Sequence, residues 1–98
     1  HRSRHPGLLT RLRGAVGARE SLDVVDLGAG TGSNLRALAP HLPPRQAWRL
    51  VDHDPALLAA ARDRLMDWAD EAREGEEGLS LARDGRAIEV SLAQADLA

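Results

Sequence analysis

The run Val24-Val25-Asp26-Leu27-Gly28-Ala29-Gly30-Thr31-Gly32 constrains the fold of this chain more than any other stretch. A short apolar segment that runs into an acid and then into glycines reads as a strand of a parallel sheet, buried because helices cover both its faces. Gly28, Gly30 and Gly32 stand at alternate positions, which lets the backbone turn sharply and approach a ligand where a Cβ would obstruct it. From Ser33 the apolar residues take a helical period, with Leu35, Leu38 and Leu42 as one stripe. The loop is therefore expected to open a helix over about 33–40, with unpaired N–H groups at its start. Strand, glycine loop and helix in this order point to a nucleoside-cofactor site.

Two glycine fingerprints compete for such a loop. The dinucleotide form is G-x-G-x-x-G, whose third glycine allows close helix–strand packing and whose helix N-terminus receives a pyrophosphate. Counted from Gly28, that glycine falls at position 33, which is Ser33. The chain instead reads D-x-G-x-G-x-G from Asp26 to Gly32. This pattern resembles motif I of the class I S-adenosylmethionine-dependent methyltransferases. The resemblance implies S-adenosyl-L-methionine as cofactor, with Asp26, Gly28, Ala29, Gly30 and Gly32 at its site. That cofactor has no phosphate. It carries an ammonium, a carboxylate, a sulfonium and two ribose hydroxyls, so its site needs carboxylates beside N–H groups.

Residues Ala47 to Asp52 read as a second strand ending in an acid, 20 residues after Gly32. An acid at that tip accepts hydrogen bonds from both hydroxyls of a ribose. His53-Asp54-Pro55 then starts a helix, with Asp54 as N-cap and Pro55 at the first helical position. The stretch Val51 to Pro55 resembles the family's second-strand segment, which implies Asp52 as the ribose ligand and His53 beside the adenine. Ala95-Asp96-Leu97 is similar to the short segment after the family's third strand. That likeness implies Asp96 on the adenine amino group and the Leu97 backbone on the ring. The resemblance spans about residues 22–98.

At 98 residues the chain is at most one domain, and a small one for an α/β protein. Its first residue is His1, which suggests a processed or excised piece of a longer chain. A net charge of −2 gives no field that favours nucleic acid or an anionic membrane. All 13 cationic residues are arginine, spread along the chain among acids, so they form no phosphate-binding cluster. The absence of cysteine excludes disulfides, zinc–thiolate sites and thiol nucleophiles. An aromatic content of 2% argues against a base-stacking platform. No apolar run approaches a membrane span or the core of a signal peptide, and the expected localisation is cytoplasmic.

Residues 1–7 are polar and end in Pro6-Gly7, a loose lead-in. Leu8, Leu12, Ala15, Val16 and Arg19 have helical spacing, which predicts a short helix over about 8–19, weakened by Gly14 and Gly17. Strands are expected at about 22–27 and 47–52, separated by Pro40 and the Pro43-Pro44 pair. The longest helix is expected from Pro55 to about Arg73, with Leu58, Ala61, Leu65, Trp68 or Ala69, and Ala72 on one face. Glu74 to Gly78 reads as a solvated loop. Leu79–Arg83 and Arg86–Ala93 alternate apolar and polar residues around Asp84-Gly85, a strong hairpin signal.

Several residues keep a plain reading. Asp26 is either a loop stabiliser, accepting the loop's N–H groups, or a direct cofactor contact. Asp54 is a helix cap, His53 is either a ligand neighbour or a polar loop residue, and Trp48 and Trp68 are packing residues. No Ser–His–Asp set, catalytic carboxylate pair or metal ligand set can be assigned.

The expected fold is α/β: the N-terminal half of a Rossmann-like three-layer sandwich, doubly wound and mostly parallel, with an added antiparallel hairpin. Residues 1–21 are expected as lead-in and short helix, and 22–98 as a cofactor-binding portion that continues beyond residue 98. The resemblance implies a methyltransferase whose acceptor the sequence does not identify. Two other readings stand beside it: a non-catalytic S-adenosylmethionine-binding module, and a nicotinamide-dependent oxidoreductase. Half a sheet leaves the strand at Val24-Val25 with an open edge where a fourth strand belongs. That edge predicts self-association, and no methyl transfer by these 98 residues alone.

Overall fold

Leu22, Val24 and Asp26 alternate with less buried neighbours along one segment, and Gln46, Trp48 and Leu50 do so along a second. A period of two places each set on one face of a strand, and the chain folds accordingly. The computed structural model describes residues 8–12, 21–76 and 78–96. The elements are β1 (Leu8–Leu12), β2 (Ser21–Leu27), α1 (Ser33–Leu38), a 3-10 turn (Ala39–His41), β3 (Arg45–Asp52), α2 (Pro55–Trp68), β4 (Glu71–Glu74), β5 (Gly78–Arg83) and β6 (Arg86–Gln94). The six strands make one mixed sheet in the order β1-β2-β3-β6-β5-β4.

The three strands that carry the sequence motifs are parallel neighbours. Val24 of β2 lies opposite Trp48 of β3, and Trp48 opposite Val90 of β6. Antiparallel strands flank this centre, β1 on β2 and β5 on β6, with β4 outside β5. The registers place Leu22, Val24, Trp48, Leu50, Ile88, Val90, Leu79 and Leu81 on the same face, where Leu35 of α1 and Leu58, Ala61 and Leu65 of α2 join them in one core. The opposite face presents Ala47, Arg49, Ser91 and Ser80, none of them fully buried, and no described helix packs on it. The structure is therefore α/β, with helices on one face of the sheet among the described residues.

The buried side chains of Gln46 and Trp48 satisfy each other and the nearby backbone. Trp48 Nε1 donates to Gln46 Oε1 at 2.7 Å, and Gln46 Nε2 donates to the carbonyls of Ala39 and Pro43, both at 2.9 Å. Gln46 thus ties the start of the 3-10 turn and the following Pro43 to β3, where the Pro43-Pro44 pair leaves few backbone donors.

The hairpin follows the expected register: Arg83 pairs with Arg86, Leu81 with Ile88, and Leu79 with Val90. Asp84 and Gly85 have φ of 53° and 75°, as a type I′ turn requires. The two like charges are drawn apart. Arg83 stacks 4.6 Å from the Trp68 ring and donates to the Trp68 carbonyl, while Arg86 Nε donates to the Leu42 carbonyl at 3.1 Å.

Three expectations are corrected. Leu8–Leu12 forms a strand and not the start of a helix, because its backbone completes the β2 edge; the rest of that expected helix, 13–19, lies outside the described residues. The same pairing closes the edge of β2 that was expected to stand open for self-association. The long helix stops at Trp68, with Ala69 in extended conformation, and Glu71–Glu74 pair with β5 where helix and then loop were expected.

Candidate functional site

The carboxyl ends of the parallel strands β2, β3 and β6 lie side by side, and the glycine loop leaves from the first of them. The loop folds onto the end of β3. Gly28 and Ala29 both donate their N–H to the Val51 carbonyl, at 2.7 and 3.0 Å, and Gly30 donates to Asp52 Oδ2 at 2.8 Å. Gly30 adopts φ of 57°, the left-handed region that a glycine enters without a Cβ penalty. Among the described residues no atom beyond the chain neighbours lies within 4 Å of where a Cβ on Gly28 or Gly30 would project, so at these two positions bare backbone faces space that no described residue fills. Gly32 differs: its Cβ direction meets Leu65 and Ala61 of α2 at 3.5–3.6 Å, and it serves helix packing.

Asp52 is the centre of the site. Only 4% of it is exposed, and its second oxygen, Oδ1, accepts the Asp54 N–H at 3.0 Å. His53 Nδ1 lies 3.4 Å from the same oxygen, on an exposed side chain. Burial pushes the Asp52 carboxyl up, but the N–H groups of Asp54 and Gly30, the charge of His53 and the His53 N–H together hold it below its ordinary value. Asp54 caps α2 by accepting the Ala56 N–H at 2.9 Å, with Pro55 at the first helical position, as its sequence predicts.

Asp26 lies beneath the loop with its side chain fully buried. Asn34 Nδ2 donates to both of its oxygens, at 3.2 and 3.1 Å. Asn34 was not singled out by sequence; the signal that could have found it is an amide in the first turn of the helix that follows a strand-end acid. The helix α1 runs on directly into the 3-10 turn, so the loop opens a helical segment over Ser33 to His41, close to the expected span, with its last turn tightened.

On the third strand's side, Ala95 donates its N–H to the Asp52 carbonyl at 3.0 Å and Gln94 Nε2 donates to the His53 carbonyl at 3.2 Å. Asp96 follows as an exposed residue, and Leu97 lies outside the described residues. The structure thus brings Gly28, Ala29, Gly30, Asp52 and His53 together, sets Asp26 below them, and leaves Asp96 one residue beyond a backbone contact to Asp52.

Among the described residues no group of three or more His, Cys, Asp or Glu side chains is placed to hold a metal ion, and no helix is long and apolar enough to cross a membrane. No family model, no curated protein and no solved structure matches this chain.

Proposed function

We propose that the glycine loop and Asp52 form a site for S-adenosyl-L-methionine in a Rossmann-like fold, and that the protein of which this site is part is a methyltransferase. The observation that carries the reading is the 2.8 Å bond from Gly30 N–H to Asp52 Oδ2, which unites the loop and the strand-tip acid at the carboxyl ends of parallel strands. Such ends, next to a glycine turn, are where open α/β sheets take nucleoside ligands.

The residues present fit that group. The space beside Gly28 and Gly30 admits the ligand's flat parts against bare backbone. Asp52 supplies a carboxylate for ribose hydroxyls, His53 flanks it, and Asp96 follows the β6 end that is tied to Asp52. Asp26, held by Asn34, fixes the loop from below. When bound, the sulfonium supplies a methyl carbon open to in-line displacement, in which the acceptor's lone pair forms the new bond and the C–S electrons return to sulfur. The chain's own residues hold the nucleoside so that this carbon meets the acceptor in line. The acceptor is unassigned, and no residue here is assigned as a base.

The dinucleotide reading is weaker. A pyrophosphate needs free N–H groups at the glycine turn, whereas those of Gly28 and Ala29 are already engaged by the Val51 carbonyl. A non-catalytic binding module would use the same contacts and differ only in lacking turnover. Calorimetric titration with S-adenosylhomocysteine and, separately, with NAD tests the reading. Binding of the first and not the second is expected; the reverse result overturns it.

A further inference from the structure

Asp52 is 4% exposed, and both its oxygens are already engaged by backbone N–H groups. A ribose cannot reach such a carboxylate until something moves. We propose that Asp52 is a latch: it holds the glycine loop shut through the Gly30 N–H, and a ligand's vicinal diol opens the loop by taking that N–H's place. The proposal rests on the nucleoside reading above and adds to it a moving part and a selectivity.

The neighbours of Asp52 decide what gives way. Asp54 is fixed: its side chain caps the Ala56 N–H, and its carbonyl accepts from Leu57 and Leu58 at the start of α2. Val51 is paired to both β2 and β6, and Asp52, at the tip of β3, is paired to β6. Gly30 is different. It is half-buried, it faces space that no described residue fills, and glycines stand two residues away on each side. It can swing outward while Gly32 stays packed on Leu65 and Ala61 as the hinge's fixed end. His53, with its side chain exposed, clears the same approach without disturbing the core.

Burial under the loop, and not a want of acceptor positions, is what keeps a diol from the Asp52 oxygens. A diol brings two O–H donors and displaces one N–H, so the exchange gains a charge-assisted bond. A single hydroxyl replaces one bond with one and gains none. The latch therefore opens for ribose and stays shut for deoxyribose, the difference being the one charge-assisted bond of the missing hydroxyl.

Backbone amide NMR on the full chain tests this. In the free protein, Asp52→Ala is expected to speed hydrogen exchange of the Gly30 amide at least tenfold and leave the Trp48 amide, in mid-sheet, unchanged. Should that variant not fold, the isosteric Asp52→Asn is expected to move exchange in the same direction by a smaller factor. Adenosine added to the wild type is expected to shift the Gly30 resonance toward its position in the Asp52 variant. At the same concentration 2′-deoxyadenosine is expected to leave the resonance in place and to bind at least tenfold more weakly. Gly30 exchange unaltered in both variants overturns the latch. Bound S-adenosylhomocysteine or adenosine with an unmoved Gly30 resonance also overturns it, while the cofactor site stands. If Gly30 is freed in the variants but neither adenosine nor S-adenosylhomocysteine binds, the cofactor reading falls, and the diol with it.

Discussion

At the scale of single residues, Asp52 carries the most consequence. At the proposed site Asp52→Ala removes a charged acceptor from two ribose hydroxyls, a net loss of one charge-assisted bond once the displaced Gly30 N–H is counted, worth about 1.5–3 kcal/mol. S-adenosylhomocysteine affinity is expected to fall roughly tenfold to a hundredfold, measured by calorimetry. Gly30→Val separates binding from folding less cleanly than Gly30→Ala. Both strain the positive φ, but no atom of the described residues blocks the new Cβ, so the alanine variant is expected to fold and to lose affinity by occupying the proposed ligand's space. Unchanged affinity in both Asp52→Ala and Gly30→Ala overturns the site. The Asp52 carboxyl is held below its ordinary value, so its ionised form stabilises the fold fully above the unfolded pKa of about 3.9. That contribution is lost as pH falls through the lower folded pKa. The gap in melting temperature between wild type and Asp52→Asn is therefore expected to be open at neutral pH and to close in acid. A gap independent of pH removes the charge from the explanation.

At the scale of elements, the buried Gln46–Trp48 pair and the hairpin offer independent checks. Trp48→Phe keeps most of the core volume but strands Gln46 Oε1 without its donor, a loss of about 1–3 kcal/mol in chemical denaturation. Double substitution with Gln46→Leu is expected to restore less than it removes, because Gln46 also holds the Ala39 and Pro43 carbonyls. The elements also show how far sequence reaches. The hairpin was legible to the residue because Asp84-Gly85 dictates a two-residue turn and the alternation on either side fixes the face. The glycine loop, the tip position of Asp52 and the Asp54 cap were legible for the same kind of reason: local chemistry decides them. Two strands were not. Leu8–Leu12 is five residues that fit either period, and only a vacant edge far along the chain settles it as a strand. Glu71–Glu74 is made of good helix formers and continues the preceding helix in pattern, yet pairing with β5 outweighs that propensity. Asn34 and Gln46 escaped notice because their roles are contacts across the fold, invisible to spacing.

At the scale of the whole molecule, β1 is what keeps the parallel centre from ending in a bare edge. Removing residues 1–12 is expected to expose the β2 edge and convert the protein to larger species on size exclusion. A monomer of unchanged stability would show that this pairing matters little. The other outer strand, β4, is fully exposed and carries Glu71, Arg73 and Glu74, charges that discourage a further strand from adding there. Then there is the bond from Ala95 N–H to the Asp52 carbonyl. It pins the residue before Asp96 to the residue that bears the central carboxylate, across two strands roughly 4.8 Å apart. The backbone leading into Asp96 is thus anchored by the sheet itself to the bearer of that carboxylate. In the proposed site that anchor acts as a ruler beside the moving loop, and a nucleoside analogue lengthened by one atom between sugar and base is expected to bind more weakly than adenosine in a calorimetric titration.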